Sequence, residues 1–289
     1  MRSLGGLAAA AALPRISVRG DAALAWRSFE ITTHVHVQNA DGVTRVWLPT
    51  PLAVAPYQTT QGDTYHVEGG TVSMVERDEL DLLVAEWPAG VDPVLTLTSR
   101  VSSAGGVDFD NPAVAPPRDL SAFARFLRVD PPSSSDDVKR TAAAITGGAG
   151  TDLERAGALY DSIAAGSAHD GGDRMPRYIN LARASGIPAR AVYGLRLDAA
   201  NATRAQAARV EVYLVGFGWV PVDLGDRRFG FSASAWMAYN TAEHVVLPGA
   251  SRGAVAYVMH PQAETGQRRV DSLDADAFRY EITVRTLEA

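Results

Sequence analysis

The sequence predicts an α+β protein in which an N-terminal antiparallel β-sandwich is followed by helices packed on an antiparallel sheet. Three observations carry this reading. From Trp26 onward, polar and apolar residues alternate in short runs separated by Gly, Pro and Asp clusters, as the strands of a sandwich require. Between Ser121 and Gly166 the apolar residues recur at helical spacing instead. After Pro188 the alternation returns, in extended runs that close on Gly218-Trp219-Val220-Pro221-Val222-Asp223.

At 289 residues, with 46% hydrophobic and 21% charged residues, the chain can bury a substantial core and suits two domains. The expected division is residues 26–115 for the sandwich and 116–289 for the helix-and-sheet core. No uninterrupted apolar run is long enough to span a bilayer. The net charge of -6 provides none of the broad basic surface that a phosphate backbone demands, so nucleic acid is not expected as a partner. There is no cysteine, which removes disulfides, thiolate metal sites and thiol nucleophiles together.

Residues 1–25 have the layout of a secretory signal peptide. Arg2 precedes the small apolar run Leu4 to Leu13, and Ala23-Leu24-Ala25 offers a cleavage site before Trp26. Export, to a bacterial periplasm, is the expectation; without a leader the chain would be cytoplasmic.

Ile31, Thr33, Val35 and Val37 share one strand face, and Thr32, His34 and His36 the other. Asn39-Ala40-Asp41-Gly42 turns the chain into a run over Val43 to Leu48, and further runs cover 64–67, 71–75, 80–87 and 94–101. His34 and His36 are spaced for a metal, but no third ligand is near in sequence, so no metal and no cofactor are expected. The proline-rich stretch from Asn111 to Pro117 reads as the linker. Helices are expected over 121–127 and 136–145, the latter with acidic residues in its first turn. A third begins at the capping box Thr151-Asp152-Leu153-Glu154 and ends at Gly166.

From His169 to Asp223 the chain shows a glycine-entered helix, a Gly186-Ile187-Pro188-Ala189-Arg190 turn, and a strand pair ending in Trp219-Val220-Pro221-Val222-Asp223. This stretch resembles the core of the transglutaminase-like superfamily, which has a papain-like fold. So do Trp236 to Asn240, Leu247-Pro248-Gly249, Met259 to Thr265 and Phe278-Arg279-Tyr280. The resemblance implies a Cys, a His and an Asp at Gly171, Ala207 and Asp223. A cysteine at a helix N-terminus is activated by the dipole, takes a histidine as base, and relies on an acceptor to orient that base. Glycine and alanine supply neither function.

The expectation is therefore a non-catalytic member whose old substrate cleft binds an extended peptide or protein segment, with His169, Asp173, Arg174, Arg209 and Trp219 as candidate cleft residues. Arg174 and Arg177 put positive charge where a thiolate would lie. The rival is an enzyme, an amide hydrolase or acyl transferase, or a lyase or cyclase, that uses His169, Asp173 or Asp223. A third reading makes the sandwich itself the docking module. His244 and His260 are expected to be structural, since no nucleophile is suggested beside either.

Overall fold

A computed structural model describes residues 25–53, 57–77, 79–112, 114, 120–131, 135–166, 174–225, 228–230 and 235–288. The leader-like segment before residue 25 lies outside the described residues, as do His169, Gly171 and Asp173.

The alternation after Trp26 becomes strands β1 (Trp26–Val37), β2 (Thr44–Pro49), β3 (Gln58–Val67), β4 (Thr71–Val75), β5 (Leu82–Trp87) and β6 (Val94–Ala104). After the helices come β7 (Ala189–Arg196), β8 (Gln206–Leu214), β9 (Gly218–Asp223), β10 (Arg228–Phe229) and β11 (Trp236–Asn240). The last strands are β12 (Val245–Val246), β13 (Ala254–Val255), β14 (Gln262–Thr265), β15 (Arg268–Val270) and β16 (Phe278–Leu287). One sandwich sheet has the order β16-β1-β6-β3 and the other β15-β14-β2-β5-β4. Their inner faces meet in a core where Val35, Val37, Leu95 and Leu97 pack with Val46, Leu48, Leu83 and Trp87.

The carboxy-terminal strands depart from the expected division of the chain. β14 pairs with β2, and β16 with β1 over the full run from Ser28–Leu287 to Val37–Phe278, so residues assigned by sequence to the core complete both sheets of the sandwich. Alternation specifies which face of a strand is buried but not which strand it joins, and the sequence reading had no term for the partner.

A 3₁₀ helix covers Leu120–Leu127, followed by α1 (Ser135–Thr146), α2 (Asp152–Ala164) and α3 (Arg174–Ala184). The capping box forms as expected: the Glu154 amide donates to the Thr151 hydroxyl, and the Glu154 carboxylate accepts from the amides of Gly150 and Thr151. Those amides hold the Glu154 carboxyl below its ordinary pKa. Gly186, at φ +80°, closes α3, with the Ile187 amide returning to the Ala182 carbonyl, and so aims the chain into β7.

The core sheet has the order β10-β9-β8-β7-β11. Strand alternation divides its side chains. Ala189, Ala191, Val210, Val212, Leu214, Val220 and Val222 pack with Leu159, Ile163, Tyr178, Ile179 and Leu181 of the helices. The opposite face meets the sandwich, where Val192 and Ala238 pack with Leu52, Tyr57 and Ala104.

The seam between the two layers is polar as well as apolar. Buried Gln58 donates from Nε2 to the carbonyls of Leu52 and Ala238 and accepts from the Ala238 amide at 2.7 Å, while the Ser103 hydroxyl donates to the Trp236 carbonyl at 2.7 Å. Gln58→Leu strands the Ala238 amide and the Leu52 carbonyl inside the seam. Such groups cost about 1–3 kcal/mol each, so chemical denaturation should show a loss of about 2–4 kcal/mol.

Candidate functional site

Helix α3 has Arg174, Met175, Pro176 and Arg177 in its first turn and no acidic residue there. Pro176 is tolerated because the first amides of a helix have no intrahelical acceptor. Beside this end of α3 run β8 and β9, paired in the register Val210–Val222. Between them opens a cleft of about 300 Å³ lined by Arg174, Met175, Ala208, Arg209, Leu224 and Gly225, among others. Arg174 and Arg209, two of the residues expected there, both border it, but the Arg209 guanidinium lies on the opposite face of the sheet, over Tyr57 and Trp236. Arg174 also donates from Nη2 to the Gly166 carbonyl at 3.4 Å, tying the helix start to the chain just after α2.

On β8, Ala208 and Val210 face this cleft. Ala207, where the resemblance read from the sequence implies a histidine, pairs with Gly194 and shares the face of Arg209 and Glu211. Both positions are alanine, so neither 207 nor 208 offers a proton acceptor. Asp223 ends β9, is 7% exposed, and accepts from the Gly225 amide at 3.0 Å through Oδ1.

Trp219 is not part of this cleft. It stands on the face away from the helices, in an aromatic group with Phe123, Phe126 and Tyr213, its ring centroid 5.0 Å from that of Phe126. Arg190 lies 3.9 Å above the Trp219 ring. The 3₁₀ helix covers this face, which is why a residue near the expected cleft in sequence is packed elsewhere.

The same face holds a charged cluster that the sequence reading did not single out. Glu211 is fully buried; its Oε2 accepts from Nε and Nη2 of Arg190 at 3.0 and 2.9 Å, and its Oε1 accepts from the Tyr57 hydroxyl. Arg209 is 4% exposed, with Nη2 at 3.7 Å from Glu211 Oε1 and its guanidinium over the rings of Tyr57 and Trp236. Its Nε and Nη2 make no hydrogen bond among the described residues. Burial, and then the Glu211 carboxylate, push the Tyr57 hydroxyl well above the usual tyrosine pKa, so it stays a donor. The sequence signal was present: an acidic residue inside the apolar run Val210-Glu211-Val212, with arginines at Arg190 and Arg209.

The histidines are placed as follows. His34 Nδ1 is 3.0 Å from the Thr96 hydroxyl, and His36 Nε2 is 2.9 Å from Asp92. Among the described residues no group of three or more His, Cys, Asp or Glu side chains gathers where it could hold a metal ion. Burial holds His260 below its ordinary pKa, against the opposing effect of Asp271. No helix among the described residues is long and apolar enough to cross a membrane.

Residues 172–224, which span α3 and strands β7 to β9, match the model of the transglutaminase-like superfamily core. The chain carries a transglutaminase-like core. A protein from Cytophaga hutchinsonii, described as a proposed cysteine protease, has a similar fold at 16% identity and a TM-score of 0.51, over 92% of each chain. The periplasmic domain of TgpA from Pseudomonas aeruginosa is 15% identical, with a TM-score of 0.36 over 66% of this chain and 91% of that one. An uncharacterised protein of Haemophilus influenzae is 29% identical across 38% of this chain and 42% of its own length, so the match spans less than half of that relative. In this transglutaminase-like core the helix start and the two strands frame a cleft whose described walls carry Arg174 and aliphatic groups.

Proposed function

We propose that this chain is a non-catalytic transglutaminase-like protein of the cell envelope that holds an extended peptide or protein segment in the cleft at the start of α3. The observation that carries the reading is chemical. A transglutaminase-like core is present, yet the whole 289-residue chain contains no cysteine, and the strand beside the cleft has alanine at both 207 and 208. A site without a nucleophile and base keeps only the part of the family's chemistry that depends on shape and charge. Arg174 on an otherwise apolar wall suits a segment that presents carbonyl or carboxylate oxygens to it. The envelope assignment rests on the leader-like residues 1–25.

The test fills the cleft. Ala208 is exposed at the cleft wall, so Ala208→Trp adds an indole there without displacing core atoms. Fluorescence anisotropy with labelled random-coil peptides should show binding to the wild-type chain and at least a tenfold loss in this variant, as expected when bulk blocks a binding pocket. Equal binding by the two proteins would move the site elsewhere. In parallel, amine incorporation and peptide hydrolysis should stay at background, and iodoacetamide should add no mass.

A further inference from the structure

A second hollow lies at the junction of sandwich and core, away from the start of α3. Its main part, about 410 Å³, is walled by the 3₁₀ helix, the end of α3 and the segment after β11, and it adjoins a shallower part of about 390 Å³. Glu79, Arg125, Glu243 and His244 line both parts, which makes them one groove. Ligand sites favour such junctions and volumes of this order.

The charges of the groove sort into two sets. Arg125 is taken by Glu79 at 3.1 Å, and Arg190 by Glu211 at 2.9 Å. Arg128, Arg183, Asp130 and Glu243 also line it, and among the described residues none of these four is in ion-pair contact with another. Arg183 is fixed without a carboxylate: its Nε donates to the Ala189 carbonyl and its Nη1 to the Arg128 carbonyl, each at 3.0 Å. Burial pushes its pKa down, with Glu243 and Asp130 acting against that. Asp130 is positioned by Asn180, whose side chain bonds both its amide and its carbonyl. The Thr241 hydroxyl, on a residue 5% exposed, has no hydrogen-bond partner among the described residues and lines the same hollow.

A lone anion would face two carboxylates here, and a lone cation two guanidinium groups. A ligand with one charge of each sign satisfies both sets. We propose that this groove binds a small zwitterion, an amino acid or short peptide with a free carboxylate and a free ammonium group. The arginines Arg128 and Arg183 receive the carboxylate, Asp130 and Glu243 receive the ammonium group, and the Thr241 hydroxyl is available to a backbone polar atom. The inference does not depend on the cleft at α3.

Calorimetry with free trialanine, its N-acetyl form and its C-terminal amide tests it at low salt, where exposed charges are least screened. The free peptide should bind, and each capped form should bind about tenfold more weakly. Arg128→Gln should erase the preference over the amide while keeping the preference over the N-acetyl form. The double variant Asp130→Asn with Glu243→Gln should do the reverse. These side chains are at the surface, and circular dichroism checks that both variants fold. Ala208→Trp should bind trialanine like the wild type, which separates this groove from the cleft at α3. Equal binding of the three peptides, no binding of any, or variants that keep both preferences would each overturn the proposal.

Discussion

Replacing Glu211 with glutamine is expected to destabilise the folded chain by about 3–5 kcal/mol, the range for breaking a buried ion pair from one side. Glu211 is the common partner of Arg190, Arg209 and Tyr57, and it has no exposure to water. The neutral amide keeps the shape but leaves two buried guanidinium groups without a counter-charge. Denaturant unfolding at neutral pH measures the loss. Tyr57→Phe removes one donor and leaves the ion pair intact, so its cost should be smaller, about 1 kcal/mol. If the two variants lose the same stability, the charge of Glu211 is not what holds the cluster. The placement of this cluster also explains why the Arg209 side chain serves as structure and not as a cleft group: its guanidinium lies over Tyr57 of the sandwich and Trp236 of β11.

Gly194→Ala should be about as damaging, at about 3 kcal/mol or more. Gly194 lies in β7 opposite Ala207, and a Cβ there would sit 2.1 Å from the Met237 carbonyl oxygen and 2.9 Å from Cζ2 of Trp236. The first obstacle is backbone, which cannot rotate aside as a side chain can, so β11 must shift off β7. Overpacking of this kind ordinarily costs about 1–3 kcal/mol, and a backbone clash belongs at or beyond the upper end. The displacement also moves Trp236 from beneath Arg209, so near-ultraviolet circular dichroism should change along with the unfolding midpoint. A variant with wild-type stability would show that the β7–β11 contact is looser than its register implies.

The two substitutions act on one seam, where the core sheet meets the sandwich. Glu211 and Gly194 lie on the sheet face turned from the helices, and Gln58 and Ser103 close the same seam from the sandwich. β14 and β16 return to the sandwich after the core is complete, so the two layers are also joined by crossing chain. A ligand groove at that junction would be sensitive to how firmly the layers hold together.

Much of the fold was legible in the residues. Alternation set the strands, the capping box at Thr151 set the start of α2, Gly186 set the end of α3, and Trp219 to Asp223 set β9, because each of these depends on near neighbours in sequence. The lack of thiol chemistry also follows from the sequence alone, since it needs only the absence of cysteine. Only the tertiary structure decided that Ala208 faces the cleft, that Trp219 packs under Arg190 instead of beside Arg174, and that Glu211 gathers Arg190, Arg209 and Tyr57. It alone sent β14 and β16 back to the sandwich. The physical reason is the same in each case. Local spacing dictates the period of burial, while the partner that covers a face is chosen by packing and charge between segments far apart in sequence, 255 residues in the case of Glu30 and Arg285.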